Sequence, residues 1–259
     1  MRKMLALVYG LVAYAVFFVA FVYAVGFIGG LVVPKGIDSG PAGSTGRALI
    51  VDGLLLTLFA VQHSGMARRG FKRWWTRFIP EPIERSTYVL VASLVLLMLF
   101  ALWQPIGGVV WRVTSRTGVA VLWGLFALGW AVVFLSTFMI GHADLFGLRQ
   151  VWLNLRGQPH PAEHFRTPLL YRVVRHPIML GFLIAFWAAP VMSGGHLLFS
   201  IATTGYILLA VQLEERDLVA RHGEAYRQYR HEVPAFVPIP GRSASGDHAP
   251  DAARLGAAR

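Results

Sequence analysis

Residues 4–33 read MLALVYGLVAYAVFFVAFVYAVGFIGGLVV, thirty positions without a single charge. A helix needs about 20 mostly apolar residues to cross the hydrocarbon core of a bilayer, so this stretch is the first of several expected spans. It is too long for a signal-peptide core, and no small-residue cleavage site follows it at the usual distance. Residues 34–46 (PKGIDSGPAGSTG) are rich in Gly, Pro and Ser and read as a loop. Further apolar runs lie at 48–66, 88–104 and 118–141 and, after a long polar stretch, at 177–192 and 196–213. Ser193-Gly194-Gly195 separates the last two and predicts a tight helical hairpin. At sixteen residues the first of that pair is short for an independent span. The expected fold is therefore all-α: a multi-pass integral membrane bundle of five or six membrane segments.

Composition agrees. Hydrophobic residues make up 56% of the 259 and charged residues 14%, against about 25% charged in ordinary globular domains; the mean hydropathy is +0.56. The net charge is +11, from 24 Lys+Arg and 13 Asp+Glu. The basic residues lie between long uncharged runs, which excludes a soluble enzyme, a disordered tail protein and a typical DNA-binding domain. With the N-terminus placed in the cytoplasm, only Lys35, Arg47, Arg112 and Arg116 fall on the outer side. All other Lys and Arg fall inside, which is the positive-inside asymmetry expected of a plasma (inner) membrane protein. Those loops meet anionic lipid headgroups, so the charge calls for no nucleic acid, and no protein partner is evident. The chain has no cysteine, so disulfides, zinc–thiolate sites and a Cys nucleophile are excluded and the redox compartment is left open. Residues 241–259 are poor in bulky apolar groups and read as a disordered tail.

Nearly every unusual polar residue sits in the inner loops or at the inner ends of spans. Arg175-His176-Pro177-Ile178-Met179-Leu180-Gly181 opens the hairpin, and Glu214-Glu215-Arg216-Asp217 closes it, which brings both groups to one membrane face. Pro177 suits a first helical turn, whose free N–H groups favour an anionic or polar ligand. Gly181 permits close approach of a ligand or another backbone. The plainer account is positive-inside anchoring by Arg175, with neighbouring bases balancing Glu214 and Glu215. Residues 218–229 could form one amphipathic helix laying Tyr226 and Tyr229 on the membrane surface, ended by Pro234 and Pro238; such a helix needs no ligand.

His63 (in Gln62-His63-Ser64) and His142 (in Gly141-His142-Ala143-Asp144) end the second and fourth spans. A lone interfacial His is often only a hydrogen-bonded structural residue, yet polar groups at membrane depth are costly and point to function. Asp52, near the outer end of the second span, ranks below them. His160-Pro161-Ala162-Glu163-His164 matches the H-x-x-E-H pattern of inverted zinc proteases. Pro161 spoils the helix that such a site needs, and no third ligand is near, so no metal is expected.

Together, Arg-His-Pro-x-x-x-Gly (175–181), the hairpin, Glu-Glu (214–215), Gly-x-x-Tyr-x-x-Tyr (223–229) and Val-Pro-Ala-Phe-Val-Pro (233–238) resemble the membrane superfamily of isoprenylcysteine carboxyl methyltransferases and phospholipid methyltransferases. Met179 stands where that superfamily often has Tyr. Gln62 to Arg68, Phe71 to Trp75, Glu84-Arg85-Ser86-Thr87 and His142 to Gln150 are similar to its bacterial methanethiol S-methyltransferase branch. The resemblance spans most of residues 1–240 and implies one integral membrane methyltransferase domain with cofactor motifs in 171–240, in a cytoplasmic C-terminal cap. It implies S-adenosylmethionine as methyl donor, a small volatile thiol, methanethiol, as acceptor, and dimethyl sulfide as product. It places His176, the backbone at Pro177 and Gly181, Glu214 and Glu215 beside the donor, with Tyr226 and Tyr229 closing a lid.

Methyl transfer from a sulfonium is an in-line displacement that needs alignment and a dry site, and the competent nucleophile is a thiolate. His142 oriented by Asp144 is the first choice of base, with His63 or Tyr171 able to do the same work. Glu214 or Glu215 suits the donor's ribose or ammonium, and Arg175 or Arg216 its carboxylate. The rival readings are a larger prenylcysteine or phospholipid acceptor, a non-enzymatic transporter or structural protein, and a zinc protease.

Overall fold

The computed structural model describes residues 1–161 and 167–239. Glu163, His164 and the tail from 241 lie outside the described residues. Five helices are long and apolar enough to cross a membrane: α1 (Arg2–Gly29), α2 (Thr45–Ala67), α4 (Glu81–Leu102), α5 (Arg116–Met139) and α9 (Gly194–His222). The short helix α3 (Arg69–Trp75) follows α2 at the end of the bundle that carries the basic loops. At that same end lie α6 (His142–Leu145), α7 (Leu148–Arg156), a 3-10 turn at Leu169–Arg172 and α10 (Glu224–Glu232). The chain is a multi-pass helical membrane protein.

The sixth apolar run folds differently from a simple hairpin arm. Its helix, α8 (Pro177–Trp187), has 11 residues, which cover only about 16 Å at 1.5 Å per residue. The chain then turns at Ala188-Ala189-Pro190, where Ala189 N donates to Trp187 O at 2.9 Å, into a short strand, β2 (Val191–Ser193), that pairs antiparallel with β1 (Val109–Arg112). β1 lies in the connection between α4 and α5, at the end away from the basic loops. The 177–193 segment therefore reaches from one end of the bundle to the other, part helix and part strand. Trp111 Nε1 donates to Ala189 O at 3.0 Å and Val113 N to Pro190 O at 2.8 Å, so the unwound carbonyls keep partners. This matters because hydrocarbon offers none.

α8 packs mainly on α5, and two glycines make that possible. A Cβ added at Gly181 would lie 2.6 Å from Gly129 O, and one at Gly129 would lie 2.6 Å from Ala185 N. The helices meet backbone to backbone there. Of the two readings offered for Gly181, the one observed is approach of another backbone. The core runs through Phe27, Phe100, Trp103, Trp130, Phe186 and Phe199.

The end away from the basic loops is closed by hydrogen-bonded loops. Lys35 Nζ donates to Ala101 O at 2.7 Å, and Ser193 bonds to Asp38. Asp52, expected near an interface, is fully buried and accepts from Gln104 N at 2.8 Å.

Candidate active site

At the basic-loop end, α8 begins with Pro177 in its first turn, and α9 projects past its apolar part. Glu214 and Glu215 sit within this projecting helix rather than at its end, since α9 continues to His222. Gly223 then breaks the chain direction with φ 58, so the expected single amphipathic helix over 218–229 is instead the last turn of α9 and the separate α10. Tyr226, Tyr229 and Val233 form a small buried cluster under Leu218 and Val219.

Arg175 ties these parts together. Its Nη2 lies 2.7 Å from Glu215 Oε1 and its Nε donates to the same oxygen at 2.8 Å. Its Nη1 donates to Arg230 O and Val233 O, the exposed carbonyls at the end of α10. Backbone bonds finish the join: Arg175 N donates to Pro234 O at 2.9 Å and His176 N to Ala235 O at 3.1 Å. The Tyr229 hydroxyl donates to Tyr171 O. His176, buried, lies 3.1 Å from Glu215 Oε1 through Nε2 and 3.7 Å from Glu214 Oε2 through Nδ1.

Glu214 differs from its neighbour. Its side chain is 50% exposed, and its Oε2 lies 3.7 Å from His176 Nδ1. The carboxylate stands half-open at this end of the bundle, beside the buried His176. Burial first, then Glu214 and Tyr229, hold the Tyr171 phenol above its usual range, so Tyr171 stays protonated at neutral pH and is a poor base.

A second cluster adjoins this one through Tyr88. The Tyr88 hydroxyl is 3.1 Å from both ring nitrogens of His63, whose ring stacks on Phe59. One hydroxyl satisfies only one nitrogen at a time, leaving the other available. Ser64 and Tyr206 hydroxyls meet at 3.0 Å, and Arg68 pairs with Asp217 at 2.9 Å, so α2 and α9 are joined on this side. Arg85 lies over the Tyr88 ring, 5.1 Å from its centroid, and its Nε donates to Leu145 O at 2.8 Å.

His142 sits in an aromatic box, stacked on Phe138 at 4.2 Å and flanked by Tyr14 and Phe146. Thr137 Oγ1 donates to Phe134 O at 2.6 Å, and His142 Nδ1 lies 2.7 Å from that same Oγ1. The threonine's one proton is committed, so Nδ1–H must donate to it, and Nε2 accepts from the Tyr14 hydroxyl at 2.8 Å. Both nitrogens are used. Asp144 does not orient His142 as expected. It pairs instead with Arg149 at 2.7 Å and His160 at 3.1 Å, because the α6 turn points it toward α7. Burial holds the His142 imidazole below its usual pKa.

The structure thus gathers Arg175, His176, Pro177, Glu214, Glu215, Tyr171, Tyr226 and Tyr229 at one end, with His63 alongside. Gly181 faces α5, and Arg216 is exposed. Arg85, Tyr88, Tyr14 and Thr137 are polar members that sequence reading did not single out as site residues. The signal for Arg85 was present in Glu84-Arg85-Ser86-Thr87, a charged run opening an apolar span. No three His, Cys, Asp or Glu side chains gather as a metal group among the described residues.

Polar side chains from two chain segments forty residues apart meet at one end of a multi-pass helical bundle, which is a membrane protein with one candidate site there. The chain belongs to the methanethiol S-methyltransferase family. It is 57% identical over 242 residues to the Methanethiol S-methyltransferase of Mycobacterium tuberculosis, covering 93% of this chain and 99% of that one. It is 49% identical over 242 residues to the protein of that name from Crocosphaera subtropica, covering 93% and 95%. It is also similar to the bovine protein Nurim, 32% identical over 178 residues, which is 66% of this chain and 68% of that one. No family model matches the chain, and no solved structure matches it. Methyltransferase relatives of nearly full length make the chain a methyltransferase.

Proposed function

We propose that the protein transfers a methyl group from S-adenosylmethionine to methanethiol, giving dimethyl sulfide and S-adenosylhomocysteine. The observation that carries this reading is the polar cluster at the start of α8, where half-exposed Glu214 stands 3.7 Å from buried His176 beside Glu215, in a chain so similar to proteins named methanethiol S-methyltransferase. When bound, the donor supplies an electrophilic methyl on a sulfonium sulfur.

The residues present fit such a molecule. Glu214 offers a carboxylate for an ammonium or ribose hydroxyl, and the first turn of α8 offers unused N–H groups at Ile178 and Met179. Arg175 is spent on Glu215 and the α10 carbonyls, so its contribution is to hold the lid segment 230–235 against the start of α8. Tyr226 and Tyr229 anchor that lid from inside. Proton removal falls best to His63, whose ring has a nitrogen to spare, whereas both His142 nitrogens are occupied. His142 then shapes the aromatic wall. The N-terminus and the site lie on the cytoplasmic side, matching the basic loops, and the work needs no metal and no covalent enzyme intermediate.

The test uses purified protein, methanethiol and donor with a deuterated methyl group, with headspace gas analysed. Labelled dimethyl sulfide above a no-enzyme control is expected. Donor binding without that product would remove the thiol and retain the methyltransferase. A prenylcysteine or phospholipid acceptor would then be tried.

A further inference from the structure

Arg85 is half-buried at the start of α4. Its Nε is fixed by Leu145 O, and its plane lies over the Tyr88 ring. Among the described residues no carboxylate pairs with it, and neither Nη has a hydrogen-bond acceptor. The bases around it are treated differently. Lys72 is matched by Glu84 at 3.0 Å, Arg68 by Asp217, Arg149 by Asp144 and Arg175 by Glu215. A partly desolvated cation without a counter-ion is costly, and a guanidinium with both Nη free is built to receive an anion. His63 is bonded to the hydroxyl of the same Tyr88 whose ring the guanidinium covers.

We propose that Arg85 is the subsite for the acceptor's sulfur, binding it as thiolate. This deepens the function proposed above and rests on it. The S–H bond breaks heterolytically, the proton going to the free His63 nitrogen and on to solvent, and the guanidinium lowers the thiol's pKa by holding the resulting anion. The thiolate lone pair forms the new S–CH3 bond. The donor's C–S bond breaks with its electron pair remaining on the donor sulfur, which becomes a neutral thioether. Around Arg85 stand Tyr88, under its guanidinium, His63 on α2, bonded to Tyr88, and Glu84, already paired with Lys72 of α3, while Tyr9 on α1 reaches Thr87 of the same helix. Asp144, beside the gripped Leu145, is already paired with Arg149 and His160.

The test compares full-length parent, Arg85→Gln and Arg85→Lys in nanodiscs. S-adenosylhomocysteine binding is measured by calorimetry, and methanethiol methylation is measured from pH 6 to 10. Arg85→Gln is expected to bind S-adenosylhomocysteine within twofold of parent, to turn over at least tenfold more slowly at pH 7, and to regain most of that loss by pH 10. Its rising limb should shift up by about one unit. Arg85→Lys, which loses the Leu145 contact but keeps the charge, is expected within about threefold of parent, and this separates charge from scaffolding. Loss of S-adenosylhomocysteine binding in either variant would instead make Arg85 the holder of the donor's carboxylate. Equal loss in both variants with an unshifted profile would make it structural, and either result overturns the proposal. A parent that makes no dimethyl sulfide overturns the function reading itself, and this one with it.

Discussion

The Arg175 guanidinium and the Glu215 carboxylate, forty residues apart in the chain, meet at 2.7 Å with side chains 10% and 13% exposed. That contact fastens the start of α8 to α9 and, through the carbonyls of Arg230 and Val233, to α10. Removing one member of a mostly buried pair strands the other. Glu215→Ala is expected to cost about 3 kcal/mol of stability and to loosen the 230–235 segment. A thermal melt in detergent and protease sensitivity at that segment check both.

Glu214, exposed and next in sequence, should behave differently. Glu214→Ala is expected to leave the melting temperature within a degree or two of parent and to weaken S-adenosylhomocysteine binding at least tenfold. Calorimetry on both variants decides whether the two neighbouring carboxylates divide structure and binding between them.

The two candidate base histidines are separable by turnover. General-base contributions run at about 100-fold or more, so His63→Ala is expected to lower kcat by at least that much with donor binding intact. His142→Ala and Tyr14→Phe are expected to stay within tenfold. The reverse ranking would return the base role to His142 acting through Tyr14.

His142 also predicts a pH dependence of stability. Its folded pKa is depressed by burial, so below its ordinary value near 6.5 the unfolded chain binds the proton first. Stability from this group is intact above that pH and declines as pH falls through and below it. Melting temperature should rise from pH 5 to 6.5 and then level, with a shallower rise in His142→Phe.

Helix approach at Gly181 allows a packing test away from the chemistry. Gly181→Ala places a methyl 2.6 Å from Gly129 O, and overpacking of that kind costs about 1–3 kcal/mol. A lowered melting temperature is expected, with no recovery from Gly129→Ala, which adds a second clash rather than relieving the first.

The five long spans could be read because each is a continuous apolar run, and length against bilayer thickness is a local property. The pairing of the 175–181 and 214–217 motifs was also readable, since a helix pair of that length returns the chain to the same face. Contacts set by distant partners were not. Nothing near His142 in sequence announces Tyr14, 128 residues away, and Asp144, two residues on, was the natural but unused partner. β1 and β2 span four and three residues, too short to show alternation inside apolar surroundings. Arg175 looked like a ligand grip because its chemistry suits one; only the fold reveals that Glu215 and the α10 carbonyls already occupy it.

The crossing made by 177–193 carries a further consequence. An extended residue advances about 3.3 Å where a helical one advances 1.5 Å, so this segment has an uneven gauge along its length. Deleting a residue of the strand part would displace α8 by about twice what deleting Ala185 would, and β2 is pinned to β1 at the far end. The depth at which His176 stands is thus metered from the opposite surface of the bilayer. Changes at Trp111, which donates to Ala189 O at the other end of the bundle, should be felt at His176 as a shift of level rather than of shape.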